Sequence, residues 1–372
     1  MNKIFLVATL FSLGGIMGLQ AQTQHYRISG AASDLVNGDT IYIQEVVRNR
    51  PVNPPIAQAL VKDGRFTFEG NVNHSVPKVL FLVSPVEGKQ MFTEFFLEPG
   101  EITANLNLEN TSITGTPQND SYQQVRNKVT ALRGRLMDVY RQMNSKDLTA
   151  EEDARHRRTM LTLENEFKTL MKDEAAKQIQ TPVGVFIFTQ IYRDYSPAVA
   201  DSLFRLIPPV ILESDKDLVE IGNSIQRSLL STVGSPYLNL SMHNLEGQPV
   251  ELAQYIGKSK LLLVDFWASW CGPCRKAMPK LIALYEEYKD KGLEIVGVSF
   301  DEKADSWKQA VEALKLPWPQ MSDLKGWKSE AAKLYDITGI PALILIDQQG
   351  TIIAKDLHGE ALKKKIEELL QP

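Results

Sequence analysis

Residues 264–274 read Val-Asp-Phe-Trp-Ala-Ser-Trp-Cys-Gly-Pro-Cys and follow directly on Lys260-Leu261-Leu262-Leu263. The apolar run predicts a buried strand ending near Phe266. A helix is expected to begin near Cys271, because Pro273 fits a first helical turn that needs no amide partner there, and Gly272 allows a tight turn. Two cysteines three positions apart at a helix start lie on one turn, close enough to bond reversibly. The positive end of the helix favours thiolate over thiol. Cys271, at the tip, is expected to be the exposed nucleophile of lower pKa, and Cys274, one turn inside, the buried resolving thiol. Arg275 and Lys276 add positive charge. An inert disulfide is the competing reading, and the position between strand and helix speaks against it. A zinc site is not expected: two ligands are too few and none of the five histidines lies nearby in sequence.

These are the only two cysteines in 372 residues, so a disulfide-stapled scaffold is excluded. The length suggests two or three domains. Apolar residues make up 43%, which excludes disorder throughout. Forty-one basic against 45 acidic residues leave a net charge of −4, which argues against nucleic acid or an anionic membrane as partner.

Four segments are expected along the chain. Residues 1–21 read as a secretory signal peptide: Lys3, an uncharged apolar run from Ile4 to Met17, and Ala21 before a cut. A membrane anchor is the alternative, but a span needs about 20 apolar residues, and this run is shorter and contains Gly14 and Gly15. The protein is therefore expected to be periplasmic or otherwise extracytoplasmic, and soluble once the signal is cleaved. Residues 22–116 alternate at period two (Ile41, Ile43; Phe66, Phe68; Ile102, Ala104, Leu106, Leu108) between Asn37-Gly38, Asp63-Gly64 and Pro99-Gly100 turns, predicting a small β-sandwich. Residues 117–234 switch to helical spacing. Val125, Val129, Leu132, Leu136, Val139 and Met143 form one stripe, and Met160, Leu163, Phe167 and Leu170 a second. Thr149 and Glu152 fit a capping box, while Pro182, Pro197 and Pro208-Pro209 are expected to break later helices. Residues 235–372 alternate strand and helix, predicting an α/β sheet covered on both faces. His358 is expected to begin the last helix without a catalytic role.

The 264–274 stretch strongly resembles the active-site segment of thioredoxins. Tyr335-Asp336-Ile337-Thr338-Gly339-Ile340-Pro341 resembles that family's second hallmark, the loop ending in a cis-proline. With the export signal, Leu238-Asn239-Leu240 and Gly247-Gln248-Pro249-Val250, the resemblance narrows to the extracytoplasmic TlpA/ResA-type branch. The β-rich region is similar to small domains of unknown function that precede such modules in bacterial envelope proteins. The resemblance implies a thioredoxin-like fold for 235–372. It also implies that Asp265 is a buried acid exchanging a proton with Cys274, and that Pro341 is cis, freeing the Ile340 backbone to pair with an extended substrate. Trp270, Gly272 and Pro273 would form the contact surface. Many branch members carry an acid three residues after the second cysteine. Ala277 stands there, so Asp265 is expected to take the proton role alone.

The implied reaction is reduction of disulfides in envelope proteins by dithiol–disulfide exchange, with no cofactor beyond the redox-active pair Cys271–Cys274 and with electrons from a membrane-embedded thiol donor. Reverse flow is one alternative: an oxidase or isomerase donating disulfides to exported proteins. Another is a client-binding protein whose redox pair only secures the complex.

Overall fold

Where apolar residues recur every second position the chain forms strands, and where they recur every third and fourth it forms helices. The computed structural model describes residues 24–47, 50–72, 76–86, 89–107, 111–144 and 148–370. The expected signal segment and Leu108 lie outside the described residues. The chain falls into two units. One holds the described residues up to Phe188 with Pro208–Ser214; the other holds Thr189–Ile207 and the described residues from Asp215 on.

The first unit opens with ten strands: β1 (Gln24–Ala31), β2 (Thr40–Gln44), β3 (Val46–Val47), β4 (Arg50–Pro51), β5 (Ala57–Leu60), β6 (Arg65–Val72), β7 (Lys78–Val86), β8 (Lys89–Leu97), β9 (Gly100–Asn105) and β10 (Ser112–Thr114). Two four-stranded sheets form, in the orders β10-β9-β1-β6 and β5-β2-β7-β8. Alternation sends Ile28, Phe66, Phe68 and Ile102 of one sheet and Ile41, Ile43, Leu82 and Phe95 of the other into a single core. Between β5 and β6, Asp63 and Gly64 both take positive φ, 51° and 66°, the geometry that the twist of a tight hairpin requires.

Helices α1 (Pro117–Met143) and α2 (Ala150–Lys177) follow. The Thr149 hydroxyl accepts from the Glu152 amide, and the Glu152 carboxylate accepts from the Thr149 amide at 2.9 Å, forming the expected capping box. The buried stripes are narrower than their periodicity suggests. Of the residues named for them only Val125, Val139 and Leu163 are buried, and Phe167 stands 39% exposed. The two helices pair along their length, linked by Arg135–Glu166 at 2.7 Å and by Lys128–Glu174, and a hairpin covers only part of each apolar face. The prolines act differently from expectation. Pro182, Pro197 and Pro209 open α3 (Pro182–Ile191), α4 (Pro197–Phe204) and α5 (Pro209–Ser214), because the first helical position loses nothing when its N–H is missing.

In the second unit, α6 (Asp217–Leu230) precedes the β11 (Ser241–His243) and β12 (Pro249–Glu251) hairpin. There follow β13 (Leu261–Trp267), α7 (Gly272–Tyr288), β14 (Leu293–Ser299), α8 (Ala304–Leu314), β15 (Gln320–Met321), α9 (Glu330–Leu334), β16 (Ala342–Asp347), β17 (Ile352–Lys355) and α10 (Gly359–Leu370). The sheet order is β15-β14-β13-β16-β17. β14 runs parallel to β13 and β16 antiparallel to it. All seven residues of β13 are buried, as expected for a central strand. Met278, Leu281 and Leu284 of α7, Trp307 of α8, and Leu362 and Ile366 of α10 share the core. As expected from the start near Cys271, α7 is continuous from Gly272, and it carries Pro279 inside it at the cost of one amide donor.

Gly184 in α3 sits against the end of α2. A Cβ there would lie 2.0 Å from the Gln178 carbonyl oxygen and 2.7 Å from the Ile179 amide nitrogen. Both are backbone atoms that cannot rotate away. Gly184→Ala is expected to lower the stability of this unit by about 2–3 kcal/mol, read as a lower urea midpoint of the α-helical signal with the redox unit's transition unmoved.

Candidate active site

The end of β13 and the start of α7 place the two cysteines. Phe300 N–H donates to the Trp267 carbonyl at 2.8 Å, tying the end of β13 to the segment after β14. Asp301 then holds the loop that follows. Its carboxylate accepts from the Ser269 amide (2.9 Å), the Ser269 hydroxyl (2.5 Å) and the Ser299 hydroxyl (2.7 Å). The residue is 1% exposed, so these bonds are unscreened by water. Sequence reasoning missed Asp301. The signal available was its position: a polar residue just past the end of a buried strand that neighbours the catalytic one, where α/β sheets gather their functional groups.

Cys271 caps α7 and is disulfide-bonded to Cys274, with the Cα atoms 5.3 Å apart. The Cys274 amide donates to Cys271 Sγ at 3.1 Å. This is the contact a thiolate at a helix N-terminus would strengthen. Cys271 was expected to be exposed, but in the disulfide it is only 4% exposed, against 0% for Cys274. The order is as expected and the degree is not: bonding to Cys274 turns Cys271 Sγ inward, where it lies 3.7 Å from the Ile340 carbonyl oxygen. Gly272 differs from expectation as well. A Cβ there would meet nothing within 4 Å, and its backbone is not left-handed. No turn geometry demands glycine. Pro273 occupies the first turn as anticipated.

Ile340–Pro341 is a cis peptide, and Pro341 faces the same cavity as Cys274 and Asp265. This cavity, about 320 Å³, lies between α7 and α10, walled by Met278, Leu281 and Leu362 and reached by His358. Asp265 is 2% exposed and its Oδ2 has no hydrogen-bond partner. Burial without a compensating charge pushes its pKa up to about 7. The four residues Cys271, Cys274, Asp265 and Pro341 therefore converge from β13, α7 and the loop before β16. Trp270 stands 55% exposed beside the disulfide, with its ring 6.1 Å from that of Trp327, which is 47% exposed. Trp267 is fully buried and donates to Gln320 at 3.0 Å. Trp327 is a second exposed aromatic that no sequence pattern singled out, since 56 residues separate the pair.

A disulfide capping a helix, a buried acid behind it and a cis-proline before it define a thioredoxin-fold catalyst of thiol–disulfide exchange. Residues 233–355 match the AhpC/TSA family, and residues 26–122 match a domain of unknown function, DUF4369. The thiol-disulfide oxidoreductase ResA of Bacillus cereus is 33% identical over 169 residues, covering 45% of this chain and 94% of that protein. The ResA of Bacillus thuringiensis is 36% identical over the same shares. A solved thiol-disulfide oxidoreductase from Bacteroides fragilis is 36% identical, covering 36% of this chain and 99% of that one at a TM-score of 0.34. The chain belongs to the thioredoxin-like thiol-disulfide oxidoreductases.

The raised pKa of Asp265 has a stability consequence. Between its unfolded pKa near 3.8 and its folded pKa of about 7, the folded protein holds a proton that the unfolded chain has lost. Stability therefore falls as pH rises through that window and stays lowered above it. Asp265→Asn removes the slope. Urea melts of the oxidised protein should agree for the two forms near pH 4, and the variant should be the more stable by a few kcal/mol at pH 8, at about 1.4 kcal/mol per pH unit.

Proposed function

We propose that the protein is an exported reductase of disulfides in cell-envelope proteins. The observation that carries this is the position of Cys271 Sγ, 3.1 Å from the Cys274 amide and 3.7 Å from the Ile340 carbonyl, where helix electrostatics and a free backbone edge meet. In the reduced protein Cys271 thiolate attacks one sulfur of a substrate disulfide. A mixed disulfide forms, and the first substrate thiolate leaves and takes a proton. Cys274 gives its proton to the Asp265 carboxylate, and the resulting thiolate attacks Cys271 Sγ, releasing the second substrate thiolate. Two electrons pass from the dithiol to the substrate, and a membrane-embedded thiol donor restores the dithiol. No other cofactor or metal takes part.

A pKa near neutrality suits Asp265 to both halves of this cycle, since the Brønsted optimum for a proton carrier lies close to working pH. The Ile340 backbone would pair with the extended substrate chain as an added strand. Gly272 leaves the approach to Cys271 free of side chain, and Trp270 offers an apolar contact beside it. Export rests on Lys3 and the apolar run after it. Among the described residues no helix is long and apolar enough to cross a membrane. The reductive direction rests on the Gly-Pro dipeptide, which resembles that of reductive thioredoxins.

Cys271→Ser is expected to abolish reduction of insulin disulfides, and Cys274→Ser to accumulate a mixed disulfide with substrate, visible as a thiol-reversible band. Wild-type turnover in Cys271→Ser would refute the mechanism. Direction is read from the reduction potential in glutathione or dithiothreitol buffers. A value near the roughly −270 mV of thioredoxin supports reduction, and one near the roughly −120 mV of a strong oxidant makes disulfide donation the activity.

A further inference from the structure

The loop before the cis-proline is held from a part of the chain outside the segment that carries the thioredoxin motifs. Asp336 has a positive φ of 52°, a conformation that residues with a Cβ avoid unless their surroundings fix it. Those surroundings come from residues 189–231. Arg193 donates to both carboxylate oxygens of Asp336, at 2.5 and 3.2 Å. Ser224 donates to Oδ1 at 3.1 Å and Ser228 to Oδ2 at 2.5 Å, both from α6. Arg193 also donates to Ser224 at 2.7 Å. The Asp336 side chain is only 6% exposed and that of Arg193 40%. One residue earlier, the Tyr335 carbonyl accepts from the Ser231 hydroxyl and the Lys355 ammonium, each at 3.3 Å. The Tyr335 hydroxyl bonds the Leu238 backbone at 2.6 and 2.9 Å.

We infer that Arg193, Ser224 and Ser228 are positioning residues for the exchange reaction: they clamp Asp336 and so fix the Ile337–Pro341 segment against the disulfide. The inference rests on the reading that the Ile340 backbone receives the substrate chain. A bidentate guanidinium–carboxylate pair fixes orientation as well as distance. Two hydroxyls on the same carboxylate complete its acceptor sites, so the loop has one bonded arrangement. Ile340 lies four residues from Asp336 and contacts Cys271 Sγ through its carbonyl. A shift of the loop would move the substrate-pairing edge while leaving the dithiol on α7 where it is. The clamp also places residues 189–231 functionally with the redox module, although no thioredoxin motif extends into them.

The test uses the full chain with two probes: insulin, whose disulfides sit in a polypeptide, and 5,5′-dithiobis(2-nitrobenzoate), a small disulfide with no backbone to pair. Arg193→Gln is expected to raise KM for insulin by roughly tenfold with kcat within about twofold, and to leave the rate with the small disulfide within about twofold. Ser224→Ala/Ser228→Ala, which keeps the ion pair, is expected to give the same split at smaller amplitude, and it serves as the readout if Arg193→Gln does not fold. An equal loss on both probes, or no change on insulin, overturns the clamp. If the unaltered protein reduces the small disulfide but not insulin, the substrate-pairing reading itself fails, and the clamp with it.

Discussion

The site depends on a single placement: a cysteine sulfur at the open end of α7, with the Cys274 amide aimed at it from 3.1 Å. A helix leaves its first amides without intrahelical partners, and a sulfur that becomes anionic is a better acceptor for them than a neutral one. The fold is arranged so that this end is fixed. β13 is buried along its whole length and stops at Trp267. Asp301 then pins Ser269 through amide and hydroxyl, so the chain enters the helix at a set angle. Moving that entry would misalign both sulfurs at once, because they share one helical turn.

Against this electrostatic device stands a buried acid with no partner for one oxygen. An orphaned carboxyl in a core is costly when ionised, and a structure selected only for stability would place an apolar residue there. The cost falls at a position that lines the same cavity as Cys274. Ala277 lines the cavity one turn after Cys274, so among the described residues Asp265 is the carboxyl at the Cys274 end of it. Its remaining acids, Glu287 and Glu360, sit on the flanking helices beside Lys363. The near-neutral pKa of Asp265 follows from burial alone, so this carboxyl can hold or give up a proton near neutral pH.

The parts legible in the sequence were those carried by local pattern. The disulfide pair, its strand and its helix lie within fifteen consecutive residues, from Lys260 to Cys274, and the cis-proline loop has a motif of its own. The β-sandwich core followed period-two alternation, and the capping box followed from Thr149 and Glu152. The misses share a different cause. Helical stripes show which face is apolar but not how much of it a partner covers, so Phe167 belongs to the stripe and yet lies exposed. Proline signals a discontinuity without saying on which side the helix lies, so Pro182, Pro197 and Pro209, expected to break helices, instead open them. Gly272 allows a tight turn, but the backbone there does not require one. The place of Cys271 at the helix tip suggests an exposed sulfur, but exposure also depends on the Ile340 carbonyl, 69 residues further along the chain.

Asp301, Trp327 and Arg193 were invisible for the most physical of these reasons. Each acts through partners far away in sequence: Asp301 is 32 residues from Ser269, and Arg193 is 143 residues from Asp336. No periodicity encodes such pairs, because they are set by how strands order in the sheet and where the chain returns. The consequence for organisation is concrete. Motifs place the redox module after Ser235, whereas the bonds on Asp336 and Tyr335 extend it back through α6 to Arg193. A segment that reads as a helical connector by pattern is, by its hydrogen bonds, part of the frame that holds the cis-proline loop. The two jobs fall to different helices: α7 carries the sulfurs, while Ser224 and Ser228 of α6 hold Asp336 in the loop before the cis-proline.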